Sequence, residues 1–332
     1  MTMRPLDEAN QNLVEAASRL AGEAVVTMVP AGVGANSPVL RVRTPTRTLG
    51  LKCYPHRPGD PRDRLDVEWR ALRFLRGIGL EAVPEALGRD DANRLMLMEW
   101  IEGQLMGAHS PADIDAAVRF IADVFQASTT AHAAGFTLAS EACLSVAQIN
   151  RQIETRLAAF APHPMLQAFL DNTFLPALAT ARSRIAPELG RGRDLPVSLR
   201  RLIPADFGFH NALRQPDGRL RFVDFDYFGW DDPVKMTADF VLHPAMSLGA
   251  ADKRSIVTQL AAAVPEDTAF LDRLAVHKPL YALRWALILL NPFRFDRMDV
   301  AEQCEPGDEQ RLRRQIEMAE RMCAHSLKDD MG

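Results

Sequence analysis

Residues 201–233 read RLIPADFGFHNALRQPDGRLRFVDFDYFGWDDP, a stretch that places an acid, an amide and a second acid in one compact unit. Asp206 precedes Asn211 by five residues within a polar, glycine-containing run. Residues 215–219 (QPDGR) then supply the fixed φ of proline and the permissive glycine that tight turns need. A short apolar run follows and predicts a strand that ends on Asp224.

The turn predicts a hairpin, and a hairpin brings its two ends back together. We therefore expect Asn211 and Asp224 to face one another beside Asp206. Carboxylate and amide oxygens are ligands that suit a hard cation such as Mg²⁺. The same set suits phosphoryl transfer, in which one acid orients a hydroxyl while the metal ligands hold the phosphates.

The pattern D-x-x-x-x-N, a β-turn and a strand ending in D-F-D resembles the catalytic and metal-binding loops of the aminoglycoside phosphotransferase and choline kinase-like superfamily. Members of that superfamily are small-molecule kinases on a protein-kinase-like fold. The family usually writes the first loop as H-x-D-x-x-x-x-N. Here Pro204 stands at the His position and is followed by Ala205. This departure removes a side chain that braces the loop but keeps Asp206 and Asn211.

The resemblance implies an α+β, bilobal, protein-kinase-like fold. Residues 1–100 would form a small nucleotide-binding lobe with an antiparallel sheet, and residues 101–332 a larger, mostly helical catalytic and substrate-binding lobe. The resemblance also implies that Asp206 is the catalytic residue and that Asn211 and Asp224 bind Mg²⁺. ATP or GTP would be the co-substrate, and the acceptor would be a hydroxyl of a small molecule.

Length and composition set the outer bounds. The chain has 332 residues, of which 47% are apolar and 25% charged, as in an ordinary soluble protein with a sizeable core. The net charge of −4 does not indicate a nucleic-acid partner. No signal-peptide pattern opens the chain, and the longest strongly apolar run is too short to span a membrane. The four cysteines lack paired spacing, so we expect no disulfide framework, no zinc site and a cytoplasmic location.

The first part of the chain predicts a helix over residues 7–21 and then three strands in an antiparallel meander. Those strands are expected at residues 23–30, 38–44 and 48–54.

The turn between the first two of these strands, residues 31–37, reads AGVGANS. Its backbone N–H groups are placed to lie over the phosphates of a nucleotide. Gly32, Gly34, Asn36 and Ser37 are therefore candidate nucleotide contacts. An ordinary hairpin loop is the alternative, because short glycine motifs often match by chance.

Lys52 lies on the third predicted strand, and Glu68 follows sixteen residues later on an amphipathic helix predicted over residues 61–79. In the kinase-like families, a strand lysine pairs with a helix glutamate and holds the α- and β-phosphates. Lys52 and Glu68 match that order, element type and spacing. The alternatives are a solvated lysine and a surface glutamate paired with Arg64 or Arg73.

Residues 93–103 (NRLMLMEWIEG) resemble the hinge between the lobes, where backbone groups would meet the base of the nucleotide. Met98, Glu99, Trp100 and Ile101 are the candidates. A buried strand that runs into a loop is the alternative.

Beyond the hinge the pattern is helical, with Pro111 starting a helix that Gly135 is expected to end. A basic stretch, residues 182–201, leads into the catalytic loop and suits either an anionic ligand or a solvated surface. Its arginines are Arg182, Arg184, Arg191, Arg193, Arg200 and Arg201. Further helices are expected over residues 145–160, 164–187, 251–262, 267–290 and 308–327.

Four further aspartates follow Asp224. Asp226 lies two residues after Asp224, so on an extended segment the two side chains point the same way. Asp226 is therefore a candidate for contact with metal or substrate, or for capping the next turn. Asp231 is a second candidate substrate residue, although it and Asp232 also suit a helix start before Pro233. Asp239 receives no role.

The sequence therefore predicts a kinase for a small hydroxylated molecule such as an amino sugar, an amino alcohol or a sugar. The acidic residues past Asp224 favour a cationic acceptor, whereas the basic stretch favours an anionic one. The alternative is a pseudokinase that binds nucleotide or acts as a scaffold, motivated by Pro204 and the sparse glycine loop. A protein kinase is disfavoured because no A-P-E segment follows Asp224. No nucleic-acid or membrane partner is expected, and the sequence leaves the oligomeric state open.

Overall fold

The computed structural model describes residues 8–31, 37–56, 62–189, 193–294 and 308–327. The chain divides into two compact units. The first comprises Met1–Ser140 with Pro204–Gly229, and the second comprises Glu141–Ile203 with Trp230–Gly332. The stretch around Asp206 and Asp224 therefore belongs to the same unit as the N-terminal sheet. The lobe boundary at residue 100 stays a prediction.

The first unit opens with helix α1 (Glu8–Ala21), as the apolar spacing predicts. A five-stranded sheet follows, in the order β1-β2-β3-β5-β4, and every neighbouring pair of strands is antiparallel. The meander of the first three strands is thereby confirmed. The strands are β1 (Thr27–Pro30), β2 (Val39–Arg43), β3 (Thr48–Cys53), β4 (Ala86–Asp90) and β5 (Leu95–Glu99).

One face of this sheet is covered by α1. Ala16, Ala17 and Ala21 are buried there because alanine side chains allow the helix to approach the strands closely. Their partners are buried aliphatic side chains of the central strands, namely Val42, Leu49, Leu51, Leu95 and Leu97. Burial of this apolar surface fixes the strand that carries Lys52.

Two helices of the first unit begin with side-chain caps. In α2 (Arg64–Gly77) the carboxylate of Asp63 accepts from the amide of Asp66. In α3 (Pro111–Ala127) Ser110 and Asp113 form a capping box.

Helix α3 ends at Ala127, and the prediction that it continues to Gly135 is wrong. A separate 3₁₀ turn covers Ala131–Gly135. The reason lies in the hydroxyls of Ser128, Thr129 and Thr130, which donate to backbone carbonyls three or four residues back. Such side chains compete with continued helical hydrogen bonding.

The chain then enters the second unit through α4 (Val146–Ala158), α5 (Pro164–Phe169) and α6 (Leu175–Leu189), followed by β7 (Arg201–Ile203). The helix expected over residues 164–187 is interrupted, because a π-helical turn over Leu170–Phe174 separates α5 from α6.

Back in the first unit, the stretch around Asp206 lies on a small three-stranded sheet. β8 (Ala212–Arg214) and β9 (Leu220–Phe222) form the predicted hairpin, and β6 (Gln104–Leu105) pairs with the other edge of β8. Gly218 adopts φ +86° in the turn, a conformation that glycine tolerates without strain.

The remainder of the second unit is mainly helical. Asp232 caps α7 through the amide of Val234, and Pro233 is its first residue, as predicted. Helix α9 contains a continuous buried run from Leu280 to Leu287. The helices are α7 (Pro233–Leu242), α8 (Ala250–Ala262), α9 (Phe270–Leu289) and α10 (Asp308–Leu327). Strand β10 (Gly229–Asp231) begins at the last residue of the first unit and pairs with β7. Among the described helices, none has the length and apolar character needed to cross a bilayer.

Candidate active site

Lys52 is the most buried cation at the predicted site. It lies in the middle of the sheet on β3 and is 3% exposed. Its Nζ lies 2.6 Å from Oε2 of Glu68 and 2.8 Å from Oδ1 of Asp224. Burial alone would lower the pKa of Lys52, but the carboxylates of Glu68, Asp224 and Asp226 outweigh it and raise the pKa. The ammonium is therefore charged at every physiological pH.

Glu68 is held by three donors. Its Oε2 accepts from Lys52 and from the hydroxyl of Tyr54, the latter at 2.8 Å, while its Oε1 accepts from the backbone amide of Phe225 at 3.2 Å. Tyr54 is also buried, and burial together with the neighbouring Glu68 raises the pKa of its hydroxyl well above the ordinary value. The strand, the helix and the loop after β9 therefore meet at one carboxylate. The sequence indicated the Lys52–Glu68 pair but not Tyr54.

The loop that carries Asp206 is shaped by a left-handed residue and by buried aromatic rings. Ala205 has φ +59°, a conformation that costs a non-glycine residue free energy. Phe207 and Phe209 are buried on either side of Gly208, while the Asp206 carboxylate is 47% exposed. The loop thus presents Asp206 to solvent on an apolar base.

Two side chains further along the loop bond back to Asp206. The side-chain amide nitrogen of Asn211 donates to the backbone oxygen of Asp206 at 2.9 Å. His210 places Nε2 3.3 Å from Oδ1 of the Asp206 carboxylate. His210 was not predicted as a site residue, although its position four residues after Asp206 is compatible with contact across one turn.

The hairpin brings the loops of Asn211 and Asp224 together. The amide of Val223 donates to the backbone oxygen of Asn211 at 2.9 Å, so Asp224 follows directly after the residue bonded to Asn211. Asp224 has φ +69°, and its side chain is 39% exposed. The contact to Lys52 adds the strand lysine to the same cluster.

Asp226 is buried, whereas Asp206 and Asp224 are partly exposed. Asp226 is 4% exposed, and its Oδ2 lies 2.9 Å from Nη1 of Arg64 at the start of α2. Burial raises the pKa of Asp226 to about 7, with the charges of Asp224 and Glu68 adding to the effect and Lys52 and Arg64 opposing it. The predicted contact of Asp226 with metal or substrate stays a prediction, and its observed partner is Arg64.

Asp231 belongs to the second unit, where its side chain is fully buried. Its Oδ1 accepts from the backbone amides of Cys143 and Asp232 at 2.8 Å each, and its Oδ2 lies 3.3 Å from Nζ of Lys235. Burial raises the pKa of Asp231, and Lys235 opposes that shift. Its observed partners are thus Lys235 and two backbone amides, and the predicted contact of Asp231 with substrate stays a prediction.

The candidate hinge residues follow β5. Glu99 accepts from Nη2 of Arg221 at 2.7 Å and from the backbone amide of Glu85 at 3.1 Å. Ile101 is buried. The Glu99 side chain therefore links the end of β5 to β9 and to the segment before β4. Contact of Glu99 and Ile101 with a nucleotide stays a prediction.

Of the candidate glycine-loop residues, Gly32, Gly34 and Asn36 lie outside the described residues. Ser37 is described and buried. Its Oγ has no hydrogen-bond partner within the described ranges. The predicted contact of this loop with phosphates stays a prediction.

Several arginines of the basic stretch, residues 182–201, form hydrogen bonds within the second unit. Arg182, Arg200 and Arg201 donate to side chains or backbone carbonyls there, and Arg201 is buried. Arg191 lies outside the described residues. Arg193 is exposed and lines a cavity of about 380 Å³. Much of this stretch therefore stabilises the second unit.

Solved structures with the same fold are numerous, although no family model and no curated protein matches the sequence. Choline kinase LicA from Streptococcus pneumoniae is 16% identical over 94% of this chain and 99% of its own, with a TM-score of 0.60. A spectinomycin phosphotransferase in complex with ADP and spectinomycin is 10% identical over 98% of this chain and 100% of its own, with a TM-score of 0.61.

An aminoglycoside phosphotransferase in ternary complex with AMP-PNP and hygromycin B gives a TM-score of 0.57. It is 16% identical over 96% of this chain and 99% of its own. The structural similarity establishes the fold. At identities this low, the activity has to be argued from the site itself. The chain therefore has the α+β, protein-kinase-like fold of the choline kinase and aminoglycoside phosphotransferase structures, as the sequence predicts.

Proposed function

We propose that this chain is a Mg²⁺-dependent phosphotransferase that moves the γ-phosphate of ATP or GTP to a hydroxyl of a small molecule. The acceptor class is an amino sugar, an amino alcohol or a sugar. One observation carries the proposal: a buried lysine, Lys52, is held between Glu68 and Asp224, next to a loop that presents Asp206. The shared fold with small-molecule kinases supports it.

The residues present fit a magnesium ion. Asp224 offers a half-exposed carboxylate, and the amide nitrogen of Asn211 is bonded to the backbone, which leaves the amide oxygen as its ligand atom. Mg²⁺ prefers such hard oxygen donors and usually keeps several waters. When bound, the ion would neutralise charge on the transferring phosphates.

Lys52 would hold the non-transferred phosphates. Its ammonium is a compact charge on a long stem, and Glu68 fixes its direction. The carboxylate partners keep this buried lysine protonated, so that it would present a positive charge to a phosphate. Tyr54 and the amide of Phe225 in turn fix Glu68.

Asp206 would orient the acceptor and receive its proton. The acceptor oxygen forms a bond to the γ-phosphorus, and the bond between that phosphorus and the bridging oxygen of the β-phosphate breaks. The hydroxyl proton passes to the Asp206 carboxylate, and the products are a phosphate ester and a nucleoside diphosphate. His210 and Asn211 hold Asp206 in place through its carboxylate and its backbone oxygen.

The acceptor class follows from the surroundings of the site and from the related structures. Asp206 and Asp224 offer partly exposed carboxylates at the site, and much of the basic stretch is engaged in the second unit. Both features favour a cationic or neutral acceptor. Proteins of this fold include a choline kinase and enzymes in complex with spectinomycin or hygromycin B, so amino alcohols and amino sugars are the first acceptors to test.

The test is a mass-spectrometric screen. The protein is incubated with Mg²⁺, ATP or GTP, and pooled amino alcohols, sugars and aminoglycosides, with Asp206→Asn as the matched control. We expect a product heavier by one phosphoryl group with the wild type, and a rate lower by roughly 10²–10⁴-fold with the variant. A variant as fast as the wild type would remove Asp206 from the mechanism.

A pseudokinase is the second candidate, because Pro204 replaces the usual histidine of the catalytic loop. The same screen separates the two. Nucleotide binding without any phosphorylated product across the full acceptor set would favour the pseudokinase. A single product that depends on Asp206 would exclude it.

A further inference from the structure

Each of residues 224–227, here called the D-F-D-Y segment, contacts either the strand lysine or residues at the start of α2. Asp224 meets Lys52, and the amide of Phe225 donates to Glu68. Asp226 pairs with Arg64. The ring of Tyr227 lies under two guanidinium groups, with Arg62 at 4.7 Å and Arg64 at 5.5 Å from its centroid. Asp224 thus attaches the loop to the strand lysine, and the next three residues attach it to α2 and to Arg62 just before that helix.

The ion pair between Arg64 and Asp226 is the buried part of this attachment. The side chains are 8% and 5% exposed, and the two charged atoms lie 2.9 Å apart. Removing one partner of such a pair leaves an uncompensated buried charge, which is far more costly than losing a surface ion pair. The pair therefore holds its two elements in a fixed relation.

The spacing of the contacts gives this pair a directional effect. Arg64 and Glu68 are four residues apart on α2, so they project from the same face in successive turns. Their partners, Asp226 and the amide of Phe225, are adjacent in the loop. A helix held at two successive turns can neither rotate about its axis nor slide along it without breaking one contact.

We propose that Arg64 and Asp226 are positioning residues of this site. Their ion pair fixes the rotation of α2 so that Glu68 faces Lys52, and it fixes the loop so that Asp224 remains on the open side, available to a metal. Asp226 thereby acts through Arg64 and does not touch the substrate. The inference rests on the proposed function for its effect on nucleotide binding, but its structural part stands independently.

The test uses the full chain with Arg64→Gln, Arg64→Lys, Asp226→Asn and the double variant Arg64→Gln/Asp226→Asn. Two quantities are measured: the Kd for AMP-PNP with Mg²⁺, by calorimetry, and the hydrogen exchange of peptides covering residues 224–228, by mass spectrometry. The amide of Phe225 reports on the contact to Glu68 directly, because it is the donor.

We expect Arg64→Gln to weaken binding about tenfold, equivalent to about 1.4 kcal/mol, and to accelerate exchange in residues 224–228. Arg64→Lys should recover part of both effects because it retains the charge. The double variant should be no worse than Arg64→Gln, since it removes both buried charges. Additive losses in the double variant would mean that the two residues act separately and would overturn the proposal.

Arg89→Gln is the matched control. Arg89 forms an ion pair of 2.8 Å with Asp66 on the same helix, but it ties α2 to strand β4 and not to the D-F-D-Y segment. We expect wild-type affinity and wild-type exchange at residues 224–228 in this variant. Equal effects of Arg89→Gln and Arg64→Gln would reduce the inference to general stability of α2 and overturn it.

The outcomes also separate this inference from the proposed function. If the wild type binds no nucleotide, the proposed function fails, and the exchange comparison still decides whether Arg64 fixes the loop. Wild-type exchange in Arg64→Gln refutes the positioning role whatever the nucleotide result.

Discussion

The hydroxyl of Tyr54 donates a 2.8 Å hydrogen bond to the same oxygen of Glu68 that receives the ammonium of Lys52. Both side chains are almost fully buried. Tyr54 and Lys52 are two residues apart on and just beyond β3, so their side chains lie on the same face of the sheet. One carboxylate oxygen therefore has a neutral and a charged donor, and its position is set by both.

Tyr54→Phe removes the neutral donor and preserves the ring. We expect a loss of about 1–3 kcal/mol in the free energy of unfolding, because a buried charged acceptor loses one of its hydrogen bonds. Urea denaturation of wild type and variant measures it. We also expect weaker binding of AMP-PNP, since Glu68 then directs Lys52 less firmly. Unchanged stability and affinity would show that Lys52 and Phe225 suffice to hold Glu68.

Asp224→Ala removes the proposed metal ligand and one partner of Lys52. We expect Mg²⁺ to tighten the binding of AMP-PNP to the wild type, and we expect this dependence on Mg²⁺ to be lost in the variant. Calorimetric titrations with and without Mg²⁺ measure the difference. Asp217→Ala is the control, because Asp217 is an exposed carboxylate in the turn of the same hairpin and pairs with Arg219. A Mg²⁺ effect that survives in Asp224→Ala would assign the metal to other ligands.

Asp113 and Arg214 anchor the hairpin to α3. Both terminal nitrogens of Arg214 donate to the carboxylate, at 2.9 and 2.8 Å. The hydrogen bond from Arg214, with further bonds from Ser110, lowers the pKa of Asp113 to about 2 against the opposing effect of burial. Because the folded-state pKa lies below the unfolded-state value of roughly 3.9, the pair stabilises the protein above pH 4. That stabilisation is lost as the pH falls towards 2.

Asp113→Asn should therefore be less stable than the wild type by about 1–2 kcal/mol at pH 7, after allowance for the partly exposed Arg214. The difference should shrink as the pH falls from 4 to 2. Urea denaturation across this pH range gives the free energies of unfolding. A difference that stays constant down to pH 2 would mean that the ionisation of Asp113 does not stabilise the fold.

Gly229→Ala tests the close approach of two backbone segments in the first unit. A Cβ atom at this position would lie 2.5 Å from the amide nitrogen of Ala139 and 2.7 Å from the carbonyl oxygen of Thr137. Backbone cannot move aside cheaply, so we expect a loss of about 1–3 kcal/mol or more. Gly107→Ala is the control, since a Cβ there meets open space. Thermal denaturation compares the two variants, and equal melting temperatures would contradict the expectation.

The parts of the site that were predictable from the sequence are those with local signals. The hairpin of β8 and β9 has a tight turn whose conformation favours proline and glycine, and the sequence has both there. The D-x-x-x-x-N and D-F-D patterns flank this hairpin. The pairing of Lys52 with Glu68 was expected from the resemblance to the kinase-like families, and the apolar pattern predicted the strand and the helix that carry the two residues. Periodicity and turn chemistry act within a few residues, so they survive in a single sequence.

The contacts that fix the site were not predictable in this way. Arg214 reaches Asp113 across 101 residues, and Arg64 reaches Asp226 across 162. An arginine in the first turn of a helix carries no local sign of a distant buried carboxylate. The same limit applies to the partners of Asp231, because nothing local in the sequence indicated its contact with the backbone amide of Cys143, 88 residues away.

The attachment of α2 to the D-F-D-Y segment has a consequence for regulation. A kinase that is switched by swinging its helix away from the strand lysine needs an inactive state close in free energy to the active one. Here that swing would break the buried pair of Arg64 and Asp226 and the bond from Phe225 to Glu68 together. Because the two contacts break together, a state with α2 displaced from Lys52 would lie above the attached state in free energy. A switch of this kind would have to break both contacts at once.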